Sequence, residues 1–291
     1  MVGMERENIE NIGKAAELIV KSKYAIAFTG AGISVESGIA PFRGRGGLYE
    51  KVSSRIFDLD YFYSNTKNCW YLLLKFILIP LLKAKPNEAH INLTKLEEIG
   101  FIKATITQNI DSLHEKAESR NVIKFHGSAD RFKCIKCGKN YQFDQLFSDD
   151  LVEEIERQDP LKVIAEKGFI DSKDIEDLKI DFDFNIPKCE FCGSIIRPEI
   201  VFFKEPIPEE ALNLSFYHAQ NADCLLIIGT SGVVYPAAMI PQIVKKNKGK
   251  IIEINPEESE YTYNITDIFI KSSASLGMIE LEKSIMKFQG L

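Results

Sequence analysis

Apolar side chains recur at Ile9, Ile12, Ala15, Ala16 and Ile19, one face of a 3.6-residue repeat, and predict a helix over residues 6–21. The next run, YAIAF at 24–28, is apolar without interruption and leads into Thr29-Gly30. A short continuous apolar run suits a strand buried on both faces, as in a parallel sheet, here feeding a glycine turn. The runs at 102–107 (IKATIT), 121–125 (NVIKF), 223–229 (DCLLIIG), 250–255 (KIIEIN) and 267–271 (DIFIK) have the same character. Helical patterns at 87–99, 209–221, 236–248 and 275–288 lie between several of them. Strands that alternate with helices in this way predict an α/β fold with a sheet wound on both faces.

Two regions break the alternation. Residues 45–85 are rich in aromatic side chains and partly helical in pattern, and their most apolar stretch, CWYLLLKFILIPLL at 69–82, spans 14 residues. A membrane span needs about 20 apolar residues, so a buried helix is expected. The second region, 132–195, carries two cysteine pairs and, from Asp144 to Asp183, 14 acidic residues against 5 basic ones. That insert reads as a solvated helical excursion, or as an acidic surface that draws in basic, lysine-bearing partners. The domain assignment is then 1–131 with 196–291 as the large domain, a helical module at about 45–85, and a small domain at 132–195.

Composition narrows the classes. The 291 residues are 45% hydrophobic and 27% charged, with a net charge of −6. This is ordinary for a globular chain, and the net negative charge argues against a strongly basic nucleic-acid binder, which needs clustered Lys and Arg. The N-terminal MVGMERENIENIG lacks the apolar core of a secretory signal, which makes a cytoplasmic enzyme the expectation.

Four of the six cysteines form two C-x-x-C pairs, Cys134/Cys137 and Cys189/Cys192, each followed by glycine, Gly138 and Gly193. Glycine allows the tight turn that points backbone amides at thiolates. Four thiolates suit tetrahedral Zn2+ at a closed, structural site. The 51 intervening residues exceed common ribbon spacings. A redox pair would open a helix in a thioredoxin-like unit, a setting neither pair has.

After the first strand comes Gly30-Ala31-Gly32-Ile33-Ser34-Val35-Glu36-Ser37-Gly38. A glycine-rich turn between strand and helix lets backbone amides approach a pyrophosphate, although the third glycine of G-x-G-x-x-G is missing. Together with Phe42-Arg43-Gly44, this segment resembles the first signature of the sirtuin family. Thr107-Gln108-Asn109-Ile110-Asp111 resembles the second and Phe125-His126-Gly127 the third. The cysteine pairs, Gly229-Thr230-Ser231 and Ile254-Asn255 follow in the family's order.

The resemblance implies a Rossmann-like NAD-binding domain with an inserted zinc domain and helical module, and NAD and an acyl-lysine protein or peptide meeting in a cleft between domains. It implies NAD-dependent removal of acyl groups, acetyl and also longer chains, with nicotinamide, O-acyl-ADP-ribose and free lysine as products. His126 is then the general base, a role its ordinary pKa near 6.5 suits. Asp111 would bond the nicotinamide carboxamide, with Ile110 adding backbone contacts, and Asn109 and Gln108 would meet the ribose. Phe42 would cover the nicotinamide pocket and Arg43 lie near the phosphates or ribose. Gly30, Ala31, Gly32, Ser34, Gly229, Thr230 and Ser231 would line the dinucleotide groove, and Asn255 meet the adenosine. Val201, Phe203, Glu205 and Val233 would flank a substrate peptide added as a strand. His90 and His114 read as structural, and Ser34 has no base motif beside it to make it a nucleophile.

Three departures from the family stand out. Pro41 replaces a usual Asp or Thr and brings neither polar side chain nor N–H. Lys204 stands where glycine is usual, and Gly232 where leucine is usual. Desuccinylating relatives carry Tyr-x-x-Arg in the helical module; after Tyr71 this chain has no arginine at that distance, only Lys75 one residue further on. A dicarboxylic acyl group therefore lacks a bidentate partner, and the apolar 69–82 stretch is either core or the lining of a channel for long acyl chains. Two other functions stay open: an NAD glycohydrolase or mono-ADP-ribosyltransferase, and a non-catalytic NAD-binding interaction module.

Overall fold

The computed structural model describes residues 6–44, 46–158 and 168–290. Part of the N-terminal reading (1–5) and part of the acidic insert (159–167) lie outside the described residues. The chain divides into two compact units: Met1–Ile39, Lys85–His126 and Ile207–Leu291 form one, Ala40–Ala84 and Gly127–Pro206 the other.

The first unit is built on a six-stranded sheet. Its strands are β1 (Ala25–Thr29), β2 (Ile102–Thr107), β3 (Val122–Lys124), β7 (Cys224–Ile228), β8 (Lys250–Asn255) and β9 (Ile268–Lys271), in the order β3-β2-β1-β7-β8-β9 and all parallel. The continuous apolar runs are explained by their two-sided burial. Ala25 and Ala27 of β1 face a core formed with Ile12, Ile19, Leu93 and Leu281, while Ile26 and Phe28 face another with Ala219, Ile240 and Val244. Helices Arg6–Lys21, Glu88–Glu98 and Ala274–Gln289 cover the first face, and Glu209–Asn221 and Met239–Lys246 the second.

The helix expected at 6–21 forms, with one change in its inward face. Ile9 is exposed, and Asn8 turns inward instead. Its side chain donates to the Lys271 carbonyl (2.9 Å) and accepts from the Lys271 N–H (2.9 Å), pairing the edge strand β9 as a further strand would.

The second unit holds a three-stranded antiparallel sheet ordered β5-β4-β6, from β4 (Gly127–Cys134), β5 (Asn140–Tyr141) and β6 (Ile196–Ile200). Residues 69–79 lie in a helical run with a π-helical turn at Leu74–Leu78. Cys69, Trp70, Leu72, Leu73 and Leu74 are fully buried, and Trp70 stacks on Phe132 of β4 at 6.1 Å. The described parts of the acidic insert, with Phe184 just after it, pack on this module: Ile155, Ile170, Ile175 and Phe184 are buried, and Asn68 and Tyr61 donate to the Ile175 and Ser172 carbonyls at 2.7 Å. Among the described residues no helix is long and apolar enough to cross a membrane.

Candidate active site

Strand β1 is the point where the order of the parallel sheet reverses, with β2 on one side and β7 on the other. The carboxyl ends of strands at such a point are where ligands of open α/β sheets bind. The turns leaving β1 and β7 lie against each other: the Gly32 N–H donates to the Gly229 carbonyl at 2.8 Å. A Cβ on Gly32 would stand 2.5 Å from Gly229 Cα, and one on Gly30 2.7 Å from Thr230 Cβ. Gly229 itself sits at φ +63°. The glycines are required by this backbone contact, so close ligand approach is not their only reason.

Beyond Gly30 the chain forms a short 3-10 helix, Ala31–Ser37, that turns Ser34 inward, where it is fully buried. Ser34 Oγ donates to Asp111 Oδ2 at 2.8 Å and accepts from Asn109 Nδ2 at 3.1 Å. Asn109 also donates to the Gly30 carbonyl at 3.1 Å, and the Leu113 N–H bonds Asp111 Oδ1 at 3.1 Å. Asn109, Ile110 and Asp111 are all buried. Burial raises the Asp111 carboxyl above its usual range, against the lowering pull of Ser34 and Leu113.

Gln108 is half-buried at the end of β2, and its Nε2 donates to Thr230 Oγ1 at 2.8 Å. His126 Nδ1 lies 3.0 Å from the Gln108 carbonyl oxygen. A carbonyl only accepts, so Nδ1 carries the proton and Nε2 keeps its lone pair. Burial lowers the His126 pKa, and the Gln108 bond partly opposes this. Across the edge, buried Asn255 donates to the Thr230 carbonyl at 3.0 Å, while exposed Ser231 accepts from the Glu260 N–H at 3.2 Å. Val233 is exposed in the next turn. Gly232 sits there at φ +76° with the Tyr261 ring 2.9 Å from where a Cβ would be, which gives the departure from leucine a local cause.

His90 and His114 pack edge to face at 4.9 Å in the interior, and His114 Nε2 meets Thr29 Oγ1 at 3.0 Å. Burial pushes His90 down to about 4.

In the second unit, Phe42 packs against Tyr49 (5.8 Å) and Phe57 (5.7 Å), with the exposed Arg43 guanidinium over the Tyr49 ring at 5.3 Å. Pro41 contributes as an acceptor, its carbonyl taking the Leu48 N–H at 2.8 Å. Val201 is half-buried, and the Phe203 N–H bonds the Phe57 carbonyl at 2.7 Å. Glu205 meets Arg197 in a two-pronged pair, 2.7 and 2.9 Å, and also accepts from the Phe202 N–H at 2.9 Å. Lys204 adopts φ +73°, the left-handed region that favours glycine, and its Nζ reaches Asp58 at 2.8 Å.

The sulfurs of Cys134, Cys137, Cys189 and Cys192 lie within 4.8 Å of one another, two pairs being at 3.5 Å. Tetrahedral Zn–S bonds of about 2.3 Å place sulfurs about 3.8 Å apart, so the cluster fits zinc. Gly138 (φ +73°) and Gly193 (φ +70°) close each knuckle with an N–H to the Cys134 and Cys189 carbonyls, at 3.1 and 2.8 Å. Two further polar side chains that brace this edge escaped the sequence reading. Asn87 holds the Ala31–Ser37 turn through the Ile33 carbonyl (2.8 Å) and Ser37 Oγ (3.0 Å). Glu253 bonds Asn255, and the sign of it was a charged residue inside the apolar run KIIEIN.

A family profile described as "Sir2 family" matches residues 30–236. The chain is 40% identical to an "NAD-dependent protein deacylase" of Thermococcus kodakarensis, over 94% of this chain and 95% of that one. It is 35% identical to an "NAD-dependent protein deacetylase" of Thermotoga maritima, over 94% and 97%. A solved structure described as "Sir2-p53 peptide-NAD+" superposes with a TM-score of 0.74 at 34% identity, covering 94% of this chain and 96% of that one. A Sir2 homolog–NAD complex does so at 0.76 and 34%, covering 94% of each.

Proposed function

This chain belongs to the Sir2 family and is an NAD-dependent protein deacylase, and from that premise we propose how its residues divide the work and which acyl groups it removes. The observation that carries the proposal is the His126 imidazole, tied through Nδ1 to the Gln108 carbonyl with Nε2 left as an acceptor. NAD, as co-substrate, supplies the nicotinamide–ribose bond whose cleavage leaves an electrophilic sugar carbon for the acyl oxygen. His126 Nε2 takes the proton from a ribose hydroxyl so that it can attack the captured acyl group. Asp111 holds the nicotinamide carboxamide, with Ile110 adding backbone contacts, and Ser34 and Asn109 keep Asp111 in place. Gln108 and Thr230 meet ribose hydroxyls, while Gly30, Ala31, Gly32, Gly229 and Ser231 line the groove and Asn255 meets the adenosine. Phe42 covers the nicotinamide side and Arg43 serves the phosphates or ribose. Val201, Phe203, Glu205 and Val233 flank the peptide. The buried amides and hydroxyls at the carboxyl edge of the sheet support this set, because sugar hydroxyls and a carboxamide are the ligands such groups satisfy.

The acyl group is neutral, acetyl foremost. Lys75, the cation nearest in sequence to the position where desuccinylating relatives hold arginine, donates to the Ile155 and Glu156 carbonyls at 2.9 and 2.7 Å. Tyr71 is packed against Phe182 and Phe184. The four gathered thiolates would hold a structural Zn2+ that ties β4 to the segment before β6. Six free thiols, four of them grouped for a metal, support a reducing compartment, the cytoplasm.

The test is a panel of acetyl-, succinyl- and myristoyl-lysine peptides with NAD, with nicotinamide and deacylated peptide quantified together beside His126→Ala. The expected result is one nicotinamide per acetyl group removed, succinyl turnover at least about tenfold slower for want of a bidentate partner, and no deacylation by the variant. Efficient desuccinylation would remove the acyl assignment. Nicotinamide released without peptide would make the protein an NAD glycohydrolase.

A further inference from the structure

One fully buried carboxylate of the first unit takes no part in the chemistry above. Glu253, in β8 between Ile252 and Ile254, has zero exposure. It accepts four side-chain hydrogen bonds: at Oε1 from Asn255 Nδ2 (2.8 Å) and Ser259 Oγ (2.5 Å), at Oε2 from Thr262 Oγ1 (3.0 Å) and Thr266 Oγ1 (2.7 Å). All four donors are neutral. A carboxylate out of water is costly unless its roughly four lone-pair sites are met, and here they are. The loop closes on itself around this centre, with Ser259 N–H to Thr262 Oγ1 at 2.8 Å and Tyr261 N–H to Ser259 Oγ at 3.0 Å.

The consequence falls on Asn255. Its Nδ2 has two hydrogens, one donated to Glu253 Oε1 and one to the Thr230 carbonyl at 3.0 Å. With both spent, the polar atom the amide still offers is Oδ1. The reversed amide would set Oδ1 against a carboxylate oxygen and a carbonyl oxygen together, an arrangement of acceptors with no proton between them. We infer that Glu253 is a positioning residue for the co-substrate: it locks Asn255 as a hydrogen-bond acceptor, so that the adenosine end of NAD is held through one of its donors. This rests on the reading of Asn255 as the residue that meets the adenosine.

The test is a double-mutant cycle read by calorimetric binding of NAD to the whole protein, with KM for NAD and for acetyl-lysine peptide measured beside it. Glu253→Gln is expected to raise the Kd for NAD about tenfold, the scale of one lost charge-assisted hydrogen bond, and to leave the peptide KM and kcat at saturating NAD within about twofold. In an Asn255→Ala background the same change should add almost nothing, because Glu253 acts through that amide. A Glu253 effect of equal size in both backgrounds, or equal loss of NAD and peptide binding, would reduce Glu253 to a loop scaffold. Should Glu253→Gln fail to fold, Asn255→Ala alone decides: an unchanged Kd for NAD overturns the inference. A wild-type protein that binds NAD and deacylates nothing overturns the proposed function, while the binding cycle still judges Glu253.

Discussion

The His126 ring shows how much one backbone hydrogen bond can decide. Phe125-His126-Gly127 is visible in the sequence, but its tautomer depends on the Gln108 carbonyl, which reaches Nδ1 only when β2 and β3 lie side by side. As the proposed base, His126 must be unprotonated, and burial lowers its pKa. The active, neutral form therefore persists to lower pH than for an ordinary histidine near 6.5. We expect the acid limb of kcat/KM for the acetyl peptide to have its midpoint below 6.5, with His126→Ala losing about 100-fold or more in deacylation at pH 7.5. A limb centred above pH 7 would mean another group titrates. Asp111 is assigned in the same way, as a residue type at a motif position. Its partner Ser34 was placed only in the groove, since a serine 77 residues away in sequence gives no sign of which carboxylate it will meet.

At the scale of elements, the strands were the most legible, because two-sided burial writes itself as an unbroken apolar run. The six runs read at 24–28, 102–107, 121–125, 223–229, 250–255 and 267–271 each match one strand of the parallel sheet to within one residue at either end. Helix faces were less so: Asn8 displaces Ile9 from the interior because an edge strand needs a donor and an acceptor more than it needs another methyl group. The glycine turns were seen as a phosphate cradle, yet their strictest demand comes from each other. Gly32→Ala would drive a Cβ to 2.5 Å from Gly229 Cα, and backbone cannot yield as a flexible side chain does. The expected cost is about 1–3 kcal/mol, a Tm lower by about 2–10 °C, together with loss of NAD binding in calorimetry. A variant that melts with the wild type would show the two turns to be looser than drawn. Lys204 and Gly232 belong here too. One holds a left-handed turn while its ammonium reaches Asp58, the other makes room for the Tyr261 ring, and neither constraint is written in the residues beside it.

For the whole molecule, the two cysteine pairs announced a zinc site, although the 51 residues between them exceed common ribbon spacings. The structure gives the gap a physical purpose: its described part packs Ile155, Ile175 and Phe184 against the helical run at 59–83, outside the knuckles altogether. If zinc joins the knuckles, metal analysis should give about one ion per chain. Cys137→Ser or prolonged chelation should then lower the thermal midpoint, since binding energy at a structural site is folding energy. Less than half an ion per chain with unchanged melting would remove zinc from the account.

The sequence by itself determined the alternation of strands and helices and, through the motifs that resemble the family's, the family and its NAD-dependent deacylation. Those depend on local periodicity and on motifs a few residues long. The tertiary structure alone decided which polar atoms meet: Ser34 with Asp111, Gln108 with Thr230, Glu253 with the loop at 259–266 and, through Asn255, with Thr230. The reason is that buried polar groups must find partners wherever the fold brings them, and those partners can stand as far apart along the chain as Asn8 and Lys271, 263 residues.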